Sequence, residues 1–182
     1  MAKIIYLDNL RGGTKFMACV DIEQKAKELL KEHGLYTVPV DPIKLAESLN
    51  VEVYETNFKD ENLSGVISKD ENKVVILTAL NECYNRTRFT VAHELGHLML
   101  HMSESQVIEE YHRGNKKSKQ EVEANAFAAA LLMPIDLIKS YFEELDKTNL
   151  SDYRKISILS EIFKVSESAI MYRMINLGLI RG

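Results

Sequence analysis

His93-Glu94-Leu95-Gly96-His97 stands inside an apolar stretch that also carries Phe89, Val91, Ala92, Leu98, Met99 and Leu100. Residues this apolar on several sides predict an interior helix, from about residue 86 to residue 102. Positions i and i+4 of a helix lie on one face about 6 Å apart, so the imidazoles of His93 and His97 can converge on one metal ion. Glu94, one residue after the first histidine, can reach a water at that metal and act as general base. The plain alternative is a buried helix whose histidines make ordinary hydrogen bonds. Against it stands the clustering of three of the five histidines within nine residues of one apolar helix. Gly96 costs a helix about 1 kcal/mol against alanine, and its presence beside His97 predicts that something approaches the backbone closely there.

A zinc site needs a third protein ligand and an open position for water. His101 is eight residues from His93, about 12 Å along the axis, too far for all three rings to meet on a regular helix. It is expected at the rim of the site or simply as a helix-end residue. A better ligand lies on the helix predicted for residues 120–133. There Glu123, Phe127 and Ala130 share a face, which puts a carboxylate on the stripe of core residues. A charge on such a stripe needs a partner, and a metal is one. Glu121 and Glu123 can equally be acids of a solvated first turn, favoured there by the helix dipole. The alanines that follow let this helix pack closely on another.

The remaining organisation is that of a small α+β protein, an antiparallel sheet packed against helices. The 182 residues suit one ordinary domain, and 46% hydrophobic with 27% charged residues exclude wholesale disorder and coiled coil. A helix from Asp21 should stop at Gly34, and Asp41-Pro42 caps a short helix reaching Leu49. Val51, Val53 and Tyr54 predict a strand, and residues 63–68 and 73–77 flank a polar turn as a β-hairpin. Residues 103–119 read as a polar mobile loop, a candidate lid beside the cleft. Ser151 and Ser166 are N-caps for two further helices, with Gly178 as the last stop. The domain division expected is a tail at 1–20, a catalytic domain at 21–150 and a helical extension, helix-turn-helix in proportion, at 151–182 packed on the core.

The longest apolar run, residues 126–133, is far short of the roughly 18 to 20 needed to cross a bilayer. The N-terminus has no apolar stretch of about 7 to 15 residues of the kind a secretory signal carries, so a cytoplasmic protein is expected. Cys19 and Cys83 form no CxxC and read as reduced thiols. The net charge of −4 argues against non-specific nucleic-acid binding. Residues 151–182 carry five basic and three acidic side chains, a weak footprint for DNA, and Ile170, Met171, Met174, Ile175 and Leu177 of the last helix look like core. Direct DNA binding is not expected.

Arg88-Phe89-Thr90-Val91-Ala92-His93-Glu94-Leu95-Gly96-His97 and the later Glu121-Val122-Glu123-Ala124-Asn125-Ala126-Phe127-Ala128-Ala129-Ala130-Leu131-Leu132-Met133-Pro134 together resemble the ImmA/IrrE family of metallopeptidases. The resemblance extends from about Asp21 to the C-terminal helix pair. It implies a zincin-like fold and a zinc-dependent endopeptidase of the gluzincin type. It carries the Zn2+ ligands onto His93, His97 and Glu123, and the general base onto Glu94. Glu123-Ala124-Asn125-Ala126 is similar to the E-x-x-A element of gluzincins. Members act on helix-turn-helix repressors of phages and mobile elements, so the implied partner is a protein substrate of that kind. With only about twenty residues before Asp21, the repressor is expected to be a separate polypeptide. The alternative is a zinc-containing module that sequesters a repressor without hydrolysis. Tyr84, His101, Tyr111 and His112 are candidate oxyanion donors, with no choice among them from sequence.

Overall fold

A computed structural model describes residues 19–70, 73–102, 108–112 and 118–181, with residues 19–20 and 108–112 described by their backbone. Helix α1 spans Cys19–Glu32 and ends before Gly34, whose φ of +68° is the left-handed conformation a helix stop requires. Asp41 caps α2 (Pro42–Ser48) by accepting from the amides of Ile43 and Lys44. Strands β1 (Val51–Thr56), β2 (Leu63–Lys69) and β3 (Val74–Ala79) follow, then helix α3 (Tyr84–Leu100). Beyond it come β4 (Ile108–His112), α4 (Lys119–Leu132), α5 (Ile135–Asp146), α6 (Asp152–Phe163) and α7 (Glu167–Asn176). Ser118, Ser151 and Ser166 cap α4, α6 and α7 through their hydroxyls. The predicted tail at residues 1–20 lies outside the described residues up to residue 18, and α1 begins at Cys19.

The fold is α+β, as the sequence predicts, but the sheet is mixed where the sequence predicts an antiparallel one. Its order is β1-β3-β2-β4. The hairpin β2–β3 is antiparallel, pairing Ile67 with Ile76, while β1 runs parallel to β3, pairing Val53 with Ile76. Alternation within a strand states which face is buried, not which neighbour it takes, so β3 inserts between β1 and β2 without any local signal. The segment predicted as an unstructured loop contains β4, antiparallel to β2 and opposite it from Leu63 to Ser68. Residues 103–107 and 113–117 of that segment lie outside the described residues.

One face of the sheet, including Ile67 and Ile76, is buried in a single core to which each helix from α1 to α7 contributes. Helix α3 runs through the middle of it: Thr90 to His97 are buried without a break. Its buried Arg88 has no acid beside it among the described residues. The guanidinium is instead satisfied by the carbonyls of Val40, Phe163 and Lys164, the last two at the C-terminal end of α6, where the helix dipole favours a cation. Helix α7 is tied in by Arg173, which pairs with Glu23 of α1 and donates to the Met133 carbonyl at the end of α4. Arg173 is thus buried. No helix among the described residues is long and apolar enough to cross a membrane.

Candidate metal centre

Helices α3 and α4 approach most closely at two small residues, Gly96 and Ala124. A Cβ built on Gly96 would stand 3.0 Å from both the Cα and the carbonyl oxygen of Ala124, and 3.3 Å from the Phe127 Cβ. This is the close approach that the glycine predicts, and the small residues of α4 are what approach. The contact places His97, the next residue of α3, against the first turn of α4.

Three donor atoms converge there. The Nε2 atoms of His93 and His97 lie 3.0 Å apart. Glu121 brings its carboxylate oxygens to 3.4 Å from His93 Nε2 and 3.1 Å from His97 Nε2. Both histidines are buried, and the Glu121 side chain is 22% exposed. Two ligands held at about 2.0 to 2.1 Å from a tetrahedral zinc stand about 3.3 Å apart, so these separations suit one such ion. His93, His97 and Glu121 form the one group of this kind among the described residues.

The carboxylate in the cluster is Glu121, and the structure does not bring Glu123, which the resemblance pairs with His93 and His97 as a ligand, to the two histidines. Glu123 faces away: its Oε2 is 3.6 Å from His101 Nε2 and its Oε1 is 3.9 Å from Lys119 Nζ. Two residues along a helix is about 200° around it, so Glu121 and Glu123 cannot both face the histidines. His101, at the C-cap of α3, also meets the Gln120 carbonyl at 3.2 Å and joins the end of α3 to the start of α4. That position is at the end of the helix, compatible with both expectations for it.

Charge is arranged to match. Burial is the largest influence on His93 and pushes its pKa below the usual value, keeping the imidazole neutral and able to ligate. Burial alone would raise the Glu121 carboxyl, but its hydrogen bonds with His93 and His97 outweigh it and hold the group at about 2. A neutral imidazole and an ionised carboxylate facing one another are an electron-rich set, which a cation stabilises.

Glu94 is buried on the sheet side of α3. Strand β2 comes down on it at Gly65, where an added Cβ would collide with the Thr90 methyl and stand 2.8 Å from Glu94 Oε1. Only glycine lets the sheet lie this close to the carboxylate. Gly65 was not singled out in the sequence. Its signal is a glycine inside a strand pattern, which marks a close approach. Of the candidate oxyanion donors, Tyr84 is 63% exposed and nine residues before His93, about 13 Å along the helix, which removes it from the site. Tyr111 and His112 lie in β4, with Tyr111 opposite Gly65 in the register.

An HExxH helix beneath a small mixed sheet, with a carboxylate supplied by the next helix, defines a metallopeptidase-type domain. The chain belongs to the Peptidase M78 family, its IrrE N-terminal-like domain matching residues 46–174. It is 31% identical over 101 residues to an uncharacterised immunity region protein 2 of Bacillus phage phi105. That match covers 56% of this chain and 63% of the phage protein, less than two thirds of its length. The fold resembles that of a Mycobacterium tuberculosis transcriptional regulator, with a TM-score of 0.58 at 17% identity over 86% of this chain and 46% of the other.

Proposed function

We propose that this chain is a zinc-dependent endopeptidase that cleaves a separate regulatory protein, such as the helix-turn-helix repressor of a phage or mobile element, in the cytoplasm. The observation that carries the hydrolytic reading is the convergence of His93, His97 and Glu121 within hydrogen-bonding distances of each other, beside a buried Glu94. Membership of a metallopeptidase family supports it. The name of the phage relative, an immunity region protein, supports a regulatory target.

His93, His97 and Glu121 would hold the metal, which when bound polarises a scissile carbonyl and acidifies water. Glu94 is the general base: it takes a proton from the attacking water and passes it to the departing amine nitrogen. Its burial keeps bulk water from competing for that proton and strengthens the electrostatics of the transfer. Gly65 lets β2 lie against Glu94 with no side chain of its own between them.

Glu94→Gln tests the reading, because it preserves shape and removes the base. The zinc-loaded protein should generate new N-termini in a cell lysate, and Glu94→Gln should bind zinc as tightly while cleavage falls about 10²- to 10⁴-fold. Undiminished cleavage by the variant would sink the role of Glu94. Unaltered relief of repression by a variant that no longer cleaves would establish the sequestering module instead.

A further inference from the structure

We propose that Arg86 is a specificity-determining residue, a receptor for a substrate carboxylate about three peptide residues from the bond that is cut. The inference rests on the hydrolytic reading above and deepens it by naming a substrate class.

Arg86 stands seven residues before His93 on α3 and eleven before His97. At 3.6 residues per turn it lies within about 20° of both, on the helical face that carries the two histidines, and about 10 Å from His93 along the axis. Its side chain reaches the sheet, where Nη2 is 3.5 Å from the Ser64 hydroxyl. Ser64 is the neighbour of Gly65, the residue of β2 that lies against Glu94. Strand alternation would turn Ser64 away from α3, because Gly65 faces it. A bulge changes that. Leu63 and Gly65 oppose consecutive residues of β4, His112 and Tyr111, which makes Ser64 an extra residue, and an extra residue re-aims a side chain.

Charge separates Arg86 from Arg88 and Arg173. Arg88 donates to three backbone carbonyls, and Arg173 pairs with Glu23. Arg86 has no carboxylate within ion-pair distance among the described residues, its Nε is buried without an acceptor, and its contact with Ser64 is long and neutral. A half-buried cation that nothing offsets is a costly choice for a purely structural role. A carboxylate brought by a ligand offsets it, and the planar guanidinium suits that group through parallel hydrogen bonds. An extended peptide advances about 3.3 Å per residue, so a residue about three places from one held at His93 comes level with Arg86.

A random peptide library with amidated C-termini, incubated with the zinc-loaded chain and sequenced after cleavage, tests this. Cut peptides should be enriched in aspartate or glutamate at one position about three residues from the new terminus. For a matched pair differing only there, kcat/KM should favour aspartate over asparagine about 10- to 100-fold. In Arg86→Gln that ratio should fall close to unity, and in Arg86→Glu the enriched residue should become lysine or arginine. A ratio taken within one variant does not depend on how much of it folds. An Arg86-dependent preference confined to the same library with free C-termini would assign the group to the peptide's terminal carboxylate and uphold the role of Arg86. Acid enrichment that survives Arg86→Gln, or cleavage with no preference for a carboxylate in either library, would overturn the proposal and leave hydrolysis standing. Arg86-dependent capture of acidic peptides by zinc-loaded protein that cuts none would uphold Arg86 and refute hydrolysis. A chain that neither cuts nor captures any peptide would refute both.

Discussion

Glu121 and Glu123 both begin an E-x-x-A tetrapeptide, Glu121-Val122-Glu123-Ala124 and Glu123-Ala124-Asn125-Ala126, so the motif fits in two registers. Core periodicity favours the second, because Glu123 shares a stripe with Phe127, and Glu123 is indeed the more buried of the two. The histidines nevertheless meet Glu121. Ser118-x-x-Glu121 also reads as a capping box, and Ser118 does accept from the Glu121 amide, so a local role hid the long-range one. The metal affinities of two neutral variants separate the residues. Glu121→Gln should lose zinc affinity by more than the roughly 100-fold typical of an outer hydrogen-bond partner, whereas Glu123→Gln should stay within about tenfold of wild type. The reverse order in chelator competition would return the ligand role to Glu123. At this scale His93, Glu94 and His97 were legible because their spacing alone puts two rings on one helical face. The third partner was not, since which face of α4 meets α3 is no property of α4 by itself.

Between elements, the controlling contact is the crossing of α3 and α4 at Gly96 and Ala124. Two effects oppose each other in Gly96→Ala. Alanine favours the helix by about 1 kcal/mol. Its Cβ, however, would sit 3.0 Å from two backbone atoms of Ala124, which cannot rotate aside as a side chain can. Overpacking of this sort costs about 1 to 3 kcal/mol, so the variant should be less stable on balance. Because the helices must part where His97 meets Glu121, zinc affinity should fall as well, with no ligand touched. A raised Tm with unchanged zinc affinity would show that the crossing tolerates the methyl. The sequence announced the close approach through the glycine and the alanines that follow on α4. It did not announce β4, where Glu109, Glu110 and neighbouring polar residues read as loop. Those residues join a sheet only because β2 offers them an edge.

For the molecule as a whole, the centre makes stability depend on pH in a calculable direction. The folded-state pKa of His93 lies below its unfolded value of about 6.5, so the unfolded chain takes up a proton that the fold resists. This contribution is complete above about pH 6.5 and is lost as pH falls. Glu121, held at about 2 against an ordinary 4.5, adds a second loss below about pH 4.5. Asp136, lowered by its hydrogen bond from Lys27, acts in the same acidic range. Metal-free protein should therefore lose Tm as pH falls below about 6.5, and His93→Asn should flatten that limb and shrink the one below pH 4.5, since the hydrogen bond with His93 is part of what holds Glu121 low. An unchanged upper limb in the variant would assign the loss elsewhere. Saturating zinc should raise Tm, as a ligand of the folded site alone does. The sequence by itself determined the α+β class, the helix ends at Gly34 and Gly178, the caps at Asp41, Ser151 and Ser166, and the histidine pair, all of which depend on a few neighbouring residues. Only the tertiary structure decided the parallel pairing of β1 with β3, the burial of Arg173 against Glu23, and Glu121 as the third donor. Each of these depends on residues distant in the chain, and on rotations about helix and sheet axes that local spacing leaves free.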